Sequence, residues 1–382
     1  MPQPPLTARA TRRWPVSAGL AAVGKDPLLL VLLVALAGLT AAAPYKVQRY
    51  PGLIDWPTLS AMAGLLVLSK GLEVSGALYR LGDWLIRRLR TEQAMALGLV
   101  LAAAFMSMLL TNDVALFVLV PLTLGVCRLT GLPATRLIIF EALAVNAGSM
   151  LTPIGNPQNL FLWQRSGVGS LEFIGHMLPL AAVLLLALLA LTAAMFRGRN
   201  VLVGSSQSPA CLKRRLFAVS LLLYAPFLMA AELGLAPWAA GAVLLLYLLT
   251  APTVLARLDW GLLVVFALMF IDLRLLAEWT AVQKAIGRLD LASPMTLLLT
   301  SVAASQVISN VPAAIALAEY SADWRVLAYG VNIGGFGLAV GSLANLIALR
   351  MAGDRRAWFG FHLYAVPFLA LAMVLAYALL RL

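Results

Sequence analysis

Two polar tripeptides and two longer Asn/Gly stretches interrupt a chain that is otherwise strongly apolar. The tripeptides are Thr111-Asn112-Asp113, in "SMLLTNDVALF", and Ser309-Asn310-Val311, in "VISNVPAAIAL". The longer stretches are "NAGSMLTPIGNPQN", Asn146 to Asn159, and "NIGGFGLAVGSLAN", Asn332 to Asn345. None of them pairs a nucleophile with a base. The two histidines, His176 and His362, and the two cysteines, Cys127 and Cys211, have no metal or redox spacing. What the stretches do offer is amides that both donate and accept, one carboxylate, and backbone groups released by Gly and Pro. Half-helix ends left by such a break present N–H groups to an anion, and freed carbonyls can hold Na⁺. The chemistry expected is reversible binding of small ions, with no bond made or broken.

The elements that would position these groups follow from composition. Of the 382 residues 62% are hydrophobic and 12% charged, about half the charged fraction of a soluble domain. The apolar runs divide into about 11 segments, several near the roughly 20 residues that cross a bilayer. The fold class is therefore an all-α polytopic membrane protein, with the lipid bilayer as its surroundings. A net charge of +12 would suggest nucleic acid in a soluble chain, but here the bases lie in short connections between spans. Assigning those connections to alternate sides places 20 of the 28 Lys and Arg on one side and 8 on the other. The bias predicts a cytoplasmic N-terminus and an outside C-terminus. The basic lead before the first apolar run is long for a signal peptide, so that run is expected to be a retained span. Between 78 and 90, "LYRLGDWLIRRLR" has the spacing of a helix lying in the interface.

The chain repeats itself. "IDW" at Ile54–Trp56 and "LDW" at Leu258–Trp260 each precede a span, and each follows an apolar segment ending in proline, Pro44 or Pro252. Shifting Asn146 onto Asn332 also superposes Val145, Gly148, Gly155, Asn159 and Leu160 on Val331, Gly334, Gly341, Asn345 and Leu346. An odd number of spans separates the halves, so they enter the bilayer from opposite sides as an inverted repeat. The expected organisation is a cytoplasmic segment 1–25, a first membrane repeat 26–196, a cytoplasmic linker 197–215 and a second membrane repeat 216–382. Residues 93–127 and 293–319 read as re-entrant hairpins. Their arms are too short to span, which leaves each polar tripeptide at a tip. Residues 133–162 and 324–350 read as broken helices. Inside hydrocarbon such backbone survives only where it lines protein or a wet cavity, and matching breaks in inverted repeats point to a midplane binding site.

Candidate binding residues are Thr111, Asn112, Asp113, Ser309, Asn310, Val311, Pro153 and Asn156. Candidate ion-coupling residues are Asp113, Asn146, Gly148, Gly155, Asn159, Asn332, Gly334, Gly341, Ser342 and Asn345, with Glu141 a weaker one. Asp113 stands out, because an ionisable residue deep in a membrane is costly and by default functional. The alternative for the asparagines is helix capping, and for the glycines helix packing. The alternative for Glu141 is a snorkelling or paired carboxylate, with Arg136 as a badly spaced partner. Glu73, Asp272, His176 and His362 read as interfacial, and Glu232 as a loop charge. A structural disulfide is not expected, because Cys211 falls in the linker.

These residues resemble the ion transporter superfamily, whose members include divalent anion:sodium symporters, citrate transporters, arsenite permeases and sodium/proton antiporters. The resemblance covers nearly the whole chain. The dicarboxylate branch carries Ser-Asn-Thr at its tips; here the Asn is kept and the third position departs. "TND" is closer to the arsenite permeases, and "TPIGNPQN" and "VGSLAN" are similar to the family's broken-helix motifs. The resemblance implies secondary transport of a small anion or oxyanion in a bacterial inner membrane, with Na⁺ or H⁺ as coupling ion and no other cofactor. It also implies an elevator mechanism, a homodimer, and Na⁺ at the Asn112 and Asn310 tips. Sodium/proton antiport remains the alternative, favoured by Asp113, and an integral-membrane enzyme a remote one.

Overall fold

A computed structural model describes residues 27–200 and 212–381. The expected N-terminal segment, most of the linker and Cys211 lie outside the described residues. Every named element is helical, and their order matches the expected spans. The first repeat holds α1 (Pro27–Ala42), α2 (Trp56–Val74), α3 (Ala77–Arg88), α4 (Glu92–Leu109), α5 (Asn112–Thr130), α6 (Ala134–Ser149), α7 (Pro157–Ser166) and α8 (Ser170–Met195). The second holds α9 (Arg214–Glu232), α10 (Ala236–Thr250), α11 (Trp260–Ala277), α12 (Thr280–Ile286), α13 (Pro294–Ile308), α14 (Asn310–Leu317), α15 (Trp324–Ile333), α16 (Leu343–Ala352) and α17 (Arg355–Arg381). Among the described residues five helices, α4, α8, α9, α11 and α17, are long and apolar enough to cross a membrane.

The repeat is visible in local chemistry. After α1 the chain bends by 119° at Pro44. Asp55 then caps α2 by accepting from Thr58 N, and the Trp56 indole donates back to Pro51 O. In the second repeat Asp259 caps α11 through Leu262 N, and the Trp260 indole donates to Leu255 O. In each half the acidic cap satisfies an orphan N–H while the indole closes the preceding turn.

Ion pairs and hydrogen bonds sort the connections into two ends. At one end Lys70 pairs with Glu73, Lys213 N donates to Ser75 O, and Thr135 donates to Asp354. At the other end Lys46 and Arg49 meet Glu278, Arg274 meets Asp55 and Glu319, and Arg325 meets Glu172. Following the charge bias, the first is called the inner end and the second the outer. The base of the α4–α5 hairpin bonds to the inner end of α8, with Glu92 N on Arg199 O and the Gln93 amide on Ala193 O. The α13–α14 hairpin closes at the outer end, where the Tyr320 hydroxyl donates to Ala277 O. The two hairpins thus come in from opposite ends.

Both hairpins stop inside the bundle. Asn112 N donates to Gly155 O at 2.9 Å, and the Thr152 hydroxyl to Met108 O at 2.6 Å, so the first tip is level with the break between α6 and α7. Beyond that break α7 continues for 10 residues, about 15 Å. The arms of this hairpin, 18 and 19 residues, are longer than expected, because α5 runs through Pro121 to Thr130. A second difference concerns Gly148. The expected unwinding begins only at Met150, and Gly148 lies inside α6 as a packing position. A Cβ there would sit 2.2 Å from Ala104 O, so the glycine is what lets α4 lie against α6.

Candidate functional site

The two breaks interlock. The Asn146 amide donates to Asn345 Oδ1 at 2.7 Å, and the Asn332 amide to Asn159 Oδ1 at 2.6 Å. Asn146 corresponds to Asn332 in the repeat and Asn159 to Asn345, so these are one bond made twice. All four residues are buried. Asn156 caps α7 through Asn159 N and donates to Asn332 Oδ1 and Ser149 Oγ. Its repeat partner Ser342 caps α16 through Ala344 N. Asn156 and Ser342 thus act as caps, and the amides of Asn146 and Asn332 hold one broken helix to the other. Pro153 is buried within the first break. Gly155 allows close approach, since a Cβ there would meet Ser149 O at 2.2 Å and Ser107 O at 2.8 Å. Gly334 and Gly341 do the same in the second break, against Ser305 and Gly334 O.

The tips hold their polar groups differently. At the first, Asn112 Oδ1 accepts from Asp113 N, while Thr111 Oγ1 and Asp113 Oδ1 are buried without a hydrogen-bond partner. Beside them lies a small void of about 10 Å³ bounded by Met62, Leu65, Thr111, Asp113, Asn156 and Pro157. At the second, Ser309 adopts φ 72°, a left-handed conformation that costs a non-glycine residue strain of the kind stored at functional sites. Asn310 is 2% exposed and Val311 is buried behind it. A Cβ on Gly335 would lie 3.1 Å from Asn332 O, 3.3 Å from Asn310 Nδ2 and 3.5 Å from Asn146 Oδ1, so three polar groups of both repeats converge there.

Asp113 and Ser309 line one cavity of about 650 Å³. Its other walls are α1, α2 and α11 on one side and α16 with the Val340 turn on the other. Lys70, Glu73, Asp259 and Arg350, all at the inner end, also line it.

Two side chains, Glu141 and Asp272, depart from the sequence reading, and two more, His362 and Gln306, make contacts that it did not include. Glu141 is neither snorkelling nor paired: it is fully buried, takes the Thr123 hydroxyl on one oxygen and leaves the other without a partner. Arg136 reaches Met195 O instead. Asp272, read as interfacial, is 1% exposed, has no partner on either oxygen and faces the cavity. His362, also read as interfacial, accepts from Ala339 N in the second break. Gln306 clasps the same turn, donating to Gly334 O and Phe336 O and accepting from Leu338 N. A carboxylate twelve residues into an apolar helix was the available signal for Asp272; nothing local marks Gln306 or His362.

A family model described as citrate transporter matches residues 20–327. The chain belongs to the citrate transporter family. It is 47% identical over 351 residues to an inner membrane protein of Escherichia coli, covering 92% of this chain and 94% of that one. It is 32% identical over 308 residues to an uncharacterised transporter of Methanocaldococcus jannaschii, covering 78% and 82% respectively. Over a shorter stretch of 120 residues, 31% of this chain and 21% of the other, it is 26% identical to a Dictyostelium discoideum protein named "Putative transporter arsB". Membership of the family makes the chain a membrane transporter within the superfamily its motifs resemble.

Proposed function

We propose that the chain is a secondary active carrier of a small anion, of the di- or tricarboxylate or the arsenite type, coupled to Na⁺ or H⁺ in a bacterial inner membrane. The observation that carries this reading is that both tips and the second break line one cavity between two packed layers, with the first break braced against the second by paired asparagines. One layer is α1, α2, α9, α10 and α11; the other holds the hairpins, the broken helices and α8 and α17. The second layer moves against the first as an elevator, and the first also forms a homodimer. The N-terminus lies in the cytoplasm and the C-terminus outside.

Thr111 Oγ1 and Asp113 Oδ1 supply oxygens to a Na⁺ in the void at the first tip, which has room for about one water-sized ion. Asn310 contributes to the corresponding ion or substrate site at the second tip. The anion occupies the cavity between them, near Asn112, Ser309 and the Val340 turn. A sodium/proton antiporter is the second reading, favoured by the acids that line the cavity.

Proteoliposomes with imposed Na⁺ or pH gradients and labelled citrate, succinate, phosphate or arsenite test the reading. One of these anions accumulates in the wild type. Asn112→Ala and Asn310→Ala each lower uptake at least about tenfold, a barrier change of about 1.4 kcal/mol, while remaining folded. Full uptake by both variants overturns the site; Na⁺/H⁺ exchange without anion uptake moves the reading to antiport.

A further inference from the structure

The cavity contains an acid that neither tip uses. Asp272 stands about 18 Å along α11 from Trp260. It is 1% exposed, it lines the cavity, and both its carboxylate oxygens lack a hydrogen-bond partner. Arg274, two residues on, is engaged elsewhere: it donates to Leu53 O and pairs with Asp55 and Glu319. The neighbouring helices do not compensate the acid. α1 and α14 carry no ionisable side chain. From α2, Lys70 is bound at 2.8 Å to Glu73. From α5 comes Asp113, from the start of α11 Asp259, and from α16 Arg350. The lining thus holds four carboxylates against two cations, one of them already paired.

An unpartnered carboxylate adds nothing to folding and is costly to keep charged away from water, so it takes a proton or a cation when one is offered. Among the described residues no three His, Cys, Asp or Glu side chains are grouped to hold a metal ion, which leaves a divalent ion short of ligands. An anion entering this cavity would also meet surplus negative charge. We propose that Asp272 is a monovalent-cation site of the static layer, loaded by H⁺ or Na⁺ before the anion occupies the cavity. This deepens the carrier reading and rests on it for the order of events. The site is separate from the void at the first tip, which lies among Thr111, Asp113 and Asn156.

Thermal unfolding of the purified full chain, in Na⁺ against K⁺ at constant ionic strength and across acidic to alkaline pH, tests it. The wild type is stabilised by the cation: a response to Na⁺ at fixed pH names sodium, and a response to pH alone in K⁺ names the proton. Asp272→Asn loses the part of that response that Asp113→Asn retains, and in the unloaded condition it is more stable than the unloaded wild type. Asp272→Glu keeps the response with a displaced midpoint, and serves as the test if the amide does not fold. A wild-type-sized response in Asp272→Asn, or no cation response in the wild type, overturns the proposal. If Asp272→Asn keeps the response while Asn112→Ala still abolishes anion uptake, Asp272 fails and the carrier reading stands. If Asp272→Asn loses its part of the response but the wild type carries none of the four anions, the cation site stands and the carrier reading fails.

Discussion

Asn332 joins the two repeats through both ends of its amide. Its nitrogen donates to Asn159 Oδ1 and Ala328 O, and its oxygen accepts from Asn156 and, at 3.4 Å, from Gln158. Removing it leaves buried donors and acceptors without partners, and each such group costs about 1–3 kcal/mol. Asn332→Ala is therefore expected to lower the unfolding temperature in detergent by several degrees. Asn112 differs, because its side-chain oxygen makes only a local bond to Asp113 N. Asn112→Ala should unfold within a degree or two of the wild type while losing transport. Equal destabilisation by both would remove the distinction between bracing and binding asparagines. Sequence matching located all four repeat asparagines, but not that they bond across the repeats, because nothing along the chain records which amide lies opposite which.

Helix contact in this fold depends on missing side chains. α4 lies against α6 at Gly148, where a methyl group would strike the Ala104 backbone. Backbone cannot rotate away as a side chain can, so Gly148→Ala must part the hairpin from the broken helix that carries its tip. Overpacking of this kind costs about 1–3 kcal/mol or more, and should appear as a lower yield of monodisperse protein and a lower unfolding temperature. Gly175, inside α8, has nothing within 4 Å of its absent Cβ. Gly175→Ala is expected to be neutral or to stabilise by up to about 1 kcal/mol, by helix propensity alone. A neutral Gly148→Ala would mean that the two helices do not pack as described.

At the end opposite the cavity between the layers, ion-paired side chains line a second pocket of about 990 Å³. A chain of ion pairs links the α1–α2 connection, α11, the base of the second hairpin and α7, through Lys46, Arg49, Glu278, Asp55, Arg274, Glu319 and Arg165. Within it, the hydrogen bond from Lys46, with Arg49 beside it, holds the Glu278 carboxyl below its usual value of 4.5. A depressed acid contributes stability above its unfolded value and loses it as pH falls through the folded one. Glu278→Gln should therefore flatten the decline in unfolding temperature below about pH 4.5. An unchanged acid limb would show that the Lys46 contact does not form in solution. The inverted arrangement has its own test, in protein lacking Cys127 and Cys211. A cysteine replacing Ala292 at the base of the second hairpin should react from outside only, and one replacing Arg199 beside the base of the first from the cytoplasm only. Labelling of both from one side would refute opposite entry of the hairpins.

Much of this was legible along the chain. Apolar runs of bilayer length, basic connections biased to one side, and polar, Gly- and Pro-bearing interruptions recurring at matched positions all follow from local rules of burial and backbone hydrogen bonding. Those rules suffice for the spans and the places where they are interrupted, although the first hairpin's arms, read as too short to span, are 18 and 19 residues long. They do not reach Asp272, Glu141, Gln306 or His362. Each of these looks alike whether its helix faces lipid, water or another helix, and that depends on rotation about the helix axis and on which neighbours pack there. Asp272 near the end of an apolar run reads as interfacial until α1, α2 and the hairpin tips enclose it in a shared cavity. The environment of a lone polar side chain is set by contacts between segments far apart in sequence, and those exist only once the bundle has assembled.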